Sequence, residues 1–157
     1  PIMEGMAANI KVQGTDVVTD GGNTKATVID AANCPDIIPV LTVLAAVSEG
    51  TTEMINAGRL RIKECDRLTA ITQELNKLGA EITELPEGLI IKGKPEGLRG
   101  GGNCDAWNDH RIAMSLAIAA QKCAEPFTLT GASSVQKSYP EFWQDYKLVG
   151  GKIEVLV

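Results

Sequence analysis

Seven residues of this chain have the types needed to move protons on a small charged molecule: Asp36, Lys63, Glu64, Arg67, His110, Arg111 and Lys137. Three of them fall in the run RIKECDR, residues 61–67, where acids and cations alternate within two helical turns. A carboxylate held among cations stays ionised and can take a proton, whereas one pushed toward neutrality by burial can give one. Asp36, Glu64 and His110 are therefore the candidate acid–base groups. Arg67 and Arg111 carry the planar fork that suits a carboxylate or phosphate, and Lys63 and Lys137 act as point charges. The combined chemistry is proton transfer on a bound, multiply ionised substrate.

The elements that must position these groups are read from the hydrophobic pattern. Residues 26–30, 52–56, 80–84, 88–92, 126–130 and 152–156 read as strands, with a turn over Pro86 to Gly88. Residues 35–47, 64–78, 109–121 and 138–148 read as helices. In the second helix Leu68, Ile71, Leu75 and Leu78 recur three or four apart, which predicts one buried stripe, and Gly79 supplies a stop. The order of elements starts again after Gly100–Gly102, read here as a flexible connection, so the chain divides into repeats at about 8–98 and 99–157 of one domain. Asp36 to His110 and Lys63 to Lys137 are both steps of 74 positions, so polar residues recur at matching corners while the helix bodies stay apolar.

All four cations are expected in the first turn of a helix, where each costs about 0.3–1 kcal/mol against the helix dipole. A bound anion would reverse that sign, because amide groups and side chains attract it together. The ordinary alternatives are solvated surface cations, Glu64 and Asp66 neutralising Lys63 and Arg67 in place, Asp36 as a capping residue and His110 as a packed side chain. Recurrence at two sets of corners favours the anion site.

Composition narrows the classes. With 157 residues, 44% hydrophobic and 22% charged, the chain has enough material for one aliphatic core, since aromatics amount to only 4%. A net charge of −5 argues against a nucleic-acid partner. Cys34, Cys65, Cys104 and Cys123 form no C-x-x-C pair, and with His110 as the sole histidine no zinc site is expected. Scattered thiols fit a reducing compartment. No apolar run has membrane-spanning length, and Pro1 in place of Met suggests a processed or excised piece.

RIKECDRL with a helix ending LGAEI, then NDHRIAM, then QKSYPEFW, in this order from about residue 8 onward, resembles the C-terminal part of the 5-enolpyruvylshikimate-3-phosphate synthase (3-phosphoshikimate 1-carboxyvinyltransferase) family. The resemblance implies an α/β fold of repeated βαβαββ units, part of one lobe of an inside-out α/β barrel. It implies transfer of the enolpyruvyl group of phosphoenolpyruvate to the 5-hydroxyl of shikimate 3-phosphate by addition and elimination, with no metal or organic cofactor. By its pattern Asp36 and Lys63 serve the 5-hydroxyl, and Glu64 serves the methylene carbon. Arg67 and Arg111 hold the carboxylate of phosphoenolpyruvate, Lys137 its phosphate, and His110 lies close by. Arg59 stands where some members have asparagine, so its contact stays open. The resemblance further implies cytoplasmic location and an N-terminal lobe as partner, which brings the rest of the site; this chain alone is expected to be inactive. The alternatives are the sister transferase acting on UDP-N-acetylglucosamine, which lacks the KECDR and NDHR pair, and a non-catalytic anion-binding α/β module.

Overall fold

The computed structural model describes residues 1–156. A short helix α1 (Ile2–Gly5) leads into a hairpin, β1 (Ile10–Gln13) and β2 (Asp16–Thr19), turned at Gly14, whose φ is +63°. The main sheet then forms from β3 (Val28–Asp30), β4 (Thr51–Ile55), β5 (Glu81–Leu85) and β6 (Gly88–Lys92) in the order β3-β4-β6-β5. The β3–β4 pair is parallel and the pairs with β6 are antiparallel. Helices α2 (Ile38–Ala46) and α3 (Arg67–Lys77) pack against this sheet. Beyond it come β7 (Leu98–Gly100), β8 (Asn103–Asp105), α4 (His110–Ala120), β9 (Cys123–Glu125), β10 (Thr128–Thr130) and α5 (Phe142–Leu148). Here β8 pairs with β10 and β7 with β9, both parallel. The chain is α/β, as its pattern predicts.

The core is aliphatic. Leu68, Ile71, Leu75 and Leu78 are all fully buried, with Ile38 and Ala46 of α2, Ile112, Leu116 and Ala119 of α4, and Met54, Leu89 and Ile91 of the sheet. Each large side chain so buried contributes about 1.5–3 kcal/mol. Helix α2 lies beside α4, and α3 touches both, so three helix starts converge at one end of the core. Four of the six aromatic residues (Tyr139, Phe142, Trp143, Tyr146) cluster on and before α5, and Tyr146 ties that helix to α4 by donating from Oη to Ala117 O at 2.8 Å.

Several local expectations change. The helix expected from residue 35 begins as a 3-10 turn, Pro35–Ile37, and becomes α only at Ile38. Pro39 thus occupies the first α-helical turn, where a missing N–H costs nothing. The helix expected from residue 64 starts at Arg67, because Asp66 caps it by accepting from Thr69 N at 3.1 Å. Lys63 and Glu64 therefore lie before α3. A 3-10 helix, Gly58–Ile62, ends at Lys63, and a second, Ala132–Lys137, ends at Lys137. These two lysines sit at carbonyl-rich C-terminal ends, where cations are favoured, so no dipole cost arises. The segment expected to be helical from 138 is helical only from Phe142.

Gly100–Gly102 is not a loose connection. Gly100 is buried in β7 with φ +79°, and a Cβ there would lie 2.0 Å from Glu125 O. Residues 126–130 divide at Pro126, which lacks the N–H a continuous strand needs. Residues 152–156 form no strand; a strand exists only with a neighbour to bond, and none of the described strands reaches it.

Candidate active site

Arg67, the first residue of α3, is the hub. Its side chain is 1% exposed and its guanidinium reaches three carboxylates on three separate segments. Nε donates to Asp109 Oδ2 at 2.8 Å, Nη1 to Asp36 Oδ1 at 2.8 Å, and Nη2 to Glu64 Oε2 at 2.7 Å. A cation at a helix start is tolerated here because the chain's own acids surround it. Asp109 is fully buried, while Asp36 and Glu64 are 52% and 40% exposed and face the open side of the cluster.

Asp109 does two jobs. It caps α4, accepting from Arg111 N at 2.8 Å, and it binds Arg67. Burial pushes its carboxyl up, but the Arg67 and Arg111 hydrogen bonds outweigh that and hold it below the usual carboxylate range. Asp36 follows the same pattern: partial burial raises it, and hydrogen bonds from Arg67 and Lys63 bring it below the usual range. Lys63 Nζ stands 3.3 Å from Asp36 Oδ1. Cys65 rests against the cluster, its Sγ donating to Asp109 Oδ2 at 3.6 Å. Burial, then the Asp109 charge, pushes this thiol up to about 12, so it is no nucleophile at neutral pH.

Arg111 and Lys137 differ from the other cations. Among the described residues neither pairs with a carboxylate. Arg111 Nε is buried without a partner, and Arg111 lines a shallow groove between α2 and α4 together with Asp36, Val40 and Met114. Lys137 Nζ donates to Asn108 O, one residue before Asp109. His110 is buried, with Nδ1 unpartnered. Six of the seven residues singled out from the sequence are therefore linked through Asp36, Arg67, Asp109 and Asn108, and His110 directly follows Asp109 in the chain.

Arg67 directs donors from all three of its nitrogens to the protein's own carboxylates, and its side chain is 1% exposed. The sequence reading missed Asp109, although an Asp directly before an apolar helix is a capping signal. It also missed Arg61, whose guanidinium reaches Glu84, Asp66, Leu85 O and Pro86 O at 2.7–2.8 Å and anchors the segment carrying Lys63 and Glu64 to the β5–β6 turn. Among the described residues no cluster of three or more His, Cys, Asp or Glu is arranged to hold a metal ion.

A family model described as EPSP synthase (3-phosphoshikimate 1-carboxyvinyltransferase) matches residues 1–146. The chain belongs to that family. It is 56% identical over 153 residues to the 3-phosphoshikimate 1-carboxyvinyltransferase of Clostridium novyi (strain NT), covering 98% of this chain and 35% of that protein. The protein of the same name from Clostridioides difficile (strain 630) is 52% identical over 152 residues, 97% of this chain and 33% of its own. An EPSP synthase structure from Acinetobacter baumannii superposes with a TM-score of 0.92 at 28% identity, over 99% of this chain and 39% of that one. The enolpyruvyl transferase NikO from Streptomyces tendae has a TM-score of 0.79 at 23% identity, over 98% of this chain and 35% of that one, and shares the fold. This family member thus spans about a third of the length of the curated relatives it matches. No described helix is long and apolar enough to cross a membrane.

Proposed function

We propose that this chain supplies one side of the active site for enolpyruvyl transfer from phosphoenolpyruvate to the 5-hydroxyl of shikimate 3-phosphate, in the cytoplasm. One observation carries the reading: Arg111 and Lys137 stand without carboxylate partners beside an ordered set of acids. Two unneutralised cations next to held carboxylates suit a substrate bearing its own carboxylate and phosphate. In this reading the chain is one lobe's segment, of two units at about 8–98 and 99–157, and the remaining contacts come from an N-terminal lobe.

The geometry supports the following division of labour. Asp36, kept ionised by Arg67 and Lys63, accepts the hydroxyl proton as the oxygen attacks C2 of phosphoenolpyruvate. Glu64, protonated when the donor substrate binds, delivers that proton to the methylene carbon, giving the tetrahedral adduct. In the second step Glu64 takes a proton back from that carbon while the C2–O bond to phosphate breaks, and the hydroxyl proton held on Asp36 leaves with the phosphate. Arg111 and Lys137 hold the carboxylate and the departing phosphate, and the charge they offer is already in place before reaction.

The test is a graft in which this chain replaces the matching third of the Clostridium novyi relative. Phosphate release requiring both phosphoenolpyruvate and shikimate 3-phosphate, and absent with UDP-N-acetylglucosamine, is the expected result. The chain by itself should give no turnover. A folded graft that releases no phosphate with the first pair sinks the proposal.

A further inference from the structure

The acid–base cluster does not explain Glu74. This residue lies seven positions after Arg67, two turns along the same face of α3, and is 1% exposed. A carboxylate at such depth is costly unless its oxygens are fully bonded. They are: Oε1 accepts from Trp107 Nε1 at 2.8 Å, Oε2 from Asp105 N at 3.1 Å, and Lys77 Nζ reaches Oε1 and Oε2 at 2.9 and 2.7 Å. Two of these donors belong to the turn that precedes α4. That turn is unusual, since Trp107 and Asn108 both have left-handed backbones, with φ of +53° and +52°. Asparagine accepts that region readily; a bulky aromatic does not, and persists there only when its surroundings impose it.

The turn is therefore strung between two hooks on α3. Glu74 holds its beginning at Asp105 and Trp107, and Arg67 holds its end at Asp109. Between the hooks lies Asn108, whose carbonyl receives Lys137, and two residues after the second hook comes Arg111, whose N–H donates to Asp109. We propose that Glu74, acting through Trp107, is a positioning residue that sets Arg111 and Lys137 for the donor substrate. Asp36 and Lys63 are held from the other side of the cluster, by Arg67 and by the 3-10 turns, and do not depend on this hook. The inference rests on the function proposed above, and it makes a claim that reading does not: disturbing Glu74 weakens one substrate and spares the other.

Two variants in the active graft test it. Trp107→Phe keeps an aromatic ring at the turn but removes the Nε1 donor; Glu74→Gln keeps the shape but gives the turn an N–H where it needs an acceptor. Each is expected to raise the KM for phosphoenolpyruvate about tenfold while leaving the KM for shikimate 3-phosphate within twofold. In the unmodified chain, the Trp107 indole N–H should also resist hydrogen exchange, and Glu74→Gln should remove that protection. A purely structural role would move both KM values together or neither, and either outcome in a folded Trp107→Phe graft overturns the proposal. Should Glu74→Gln fail to fold, Trp107→Phe decides alone. An inactive parent graft would instead strike the functional reading, and is recognised before any variant is made.

Discussion

Replacing Arg67 by methionine should be the most damaging single change near the site. The substitution keeps much of the aliphatic volume and removes the guanidinium. Asp109 is then a buried carboxylate with no cation, and breaking one side of a buried pair costs about 3–5 kcal/mol. The pairs to Asp36 and Glu64 are exposed at the acid end and add about 0–1 kcal/mol each. A loss near 4 kcal/mol at pH 7 is expected from urea unfolding. The pH dependence gives a second handle. In the parent, Asp109 is held below the usual carboxylate range, so its stabilising contribution is complete above about pH 4 and is lost as pH falls through its depressed folded value. In the variant burial acts without Arg67 and pushes the same carboxyl up, so acidification neutralises the stranded charge. The difference between parent and variant should therefore narrow from pH 7 to pH 4. In an Asp109→Asn background the cost of Arg67→Met should drop to about 1–2 kcal/mol, since no buried charge is left behind. A cost under about 1 kcal/mol at pH 7, or one that ignores pH, would show that Asp109 does not depend on Arg67.

Other contacts of the chain carry their own expected outcomes. Lys137→Ala and Arg111→Ala in the active graft should each lower turnover by about 10²–10³, measured as phosphate release, because each removes a preplaced cation. Gly100→Ala should destabilise the chain by more than about 2 kcal/mol in thermal or urea melts, since the new methyl would meet Glu125 O and the backbone is left-handed. Cys65 and Cys104, both with thiols pushed up to about 12 by burial first, should stay unmodified by a disulfide reagent at pH 8 until the chain is unfolded.

Much of the fold was legible because it rests on spacing. Leu68, Ile71, Leu75 and Leu78 announce the inner face of α3, and the apolar runs around residues 41 and 115 announce α2 and α4. The helix starts were harder. Asp66 and Asp109 decide where α3 and α4 begin through single side-chain hydrogen bonds, and a charged run such as RIKECDR hides which acid is the cap. The candidate residues could be picked out from the sequence, but not which of them pair with one another. Sequence placed Arg67 among the ligand-facing cations, but only the tertiary meeting of three segments shows it enclosed by Asp36, Glu64 and Asp109. Glu74 carried a readable signal, a charge inside the buried stripe between Ile71 and Leu75, and its partner at Trp107 lies too far along the chain for periodicity to find. The 10–19 hairpin also had a signal in Gly14 between two short β-rich runs, and Gly100–Gly102 showed that glycine can mean close approach as readily as looseness.

The sheets differ in how well they are knit. β4 and β6 have neighbours on both sides, whereas β8 with β10 and β7 with β9 stand as three-residue pairs open along both outer edges. Such ribbons hold few amide protons against exchange and yield first when a protein loosens. Lys137 and the entrance to α4 would then be released while Lys63 and Asp36 keep their places. The patch can come apart in stages, and a surface that completes those open strands would steady the side carrying Arg111 and Lys137 most.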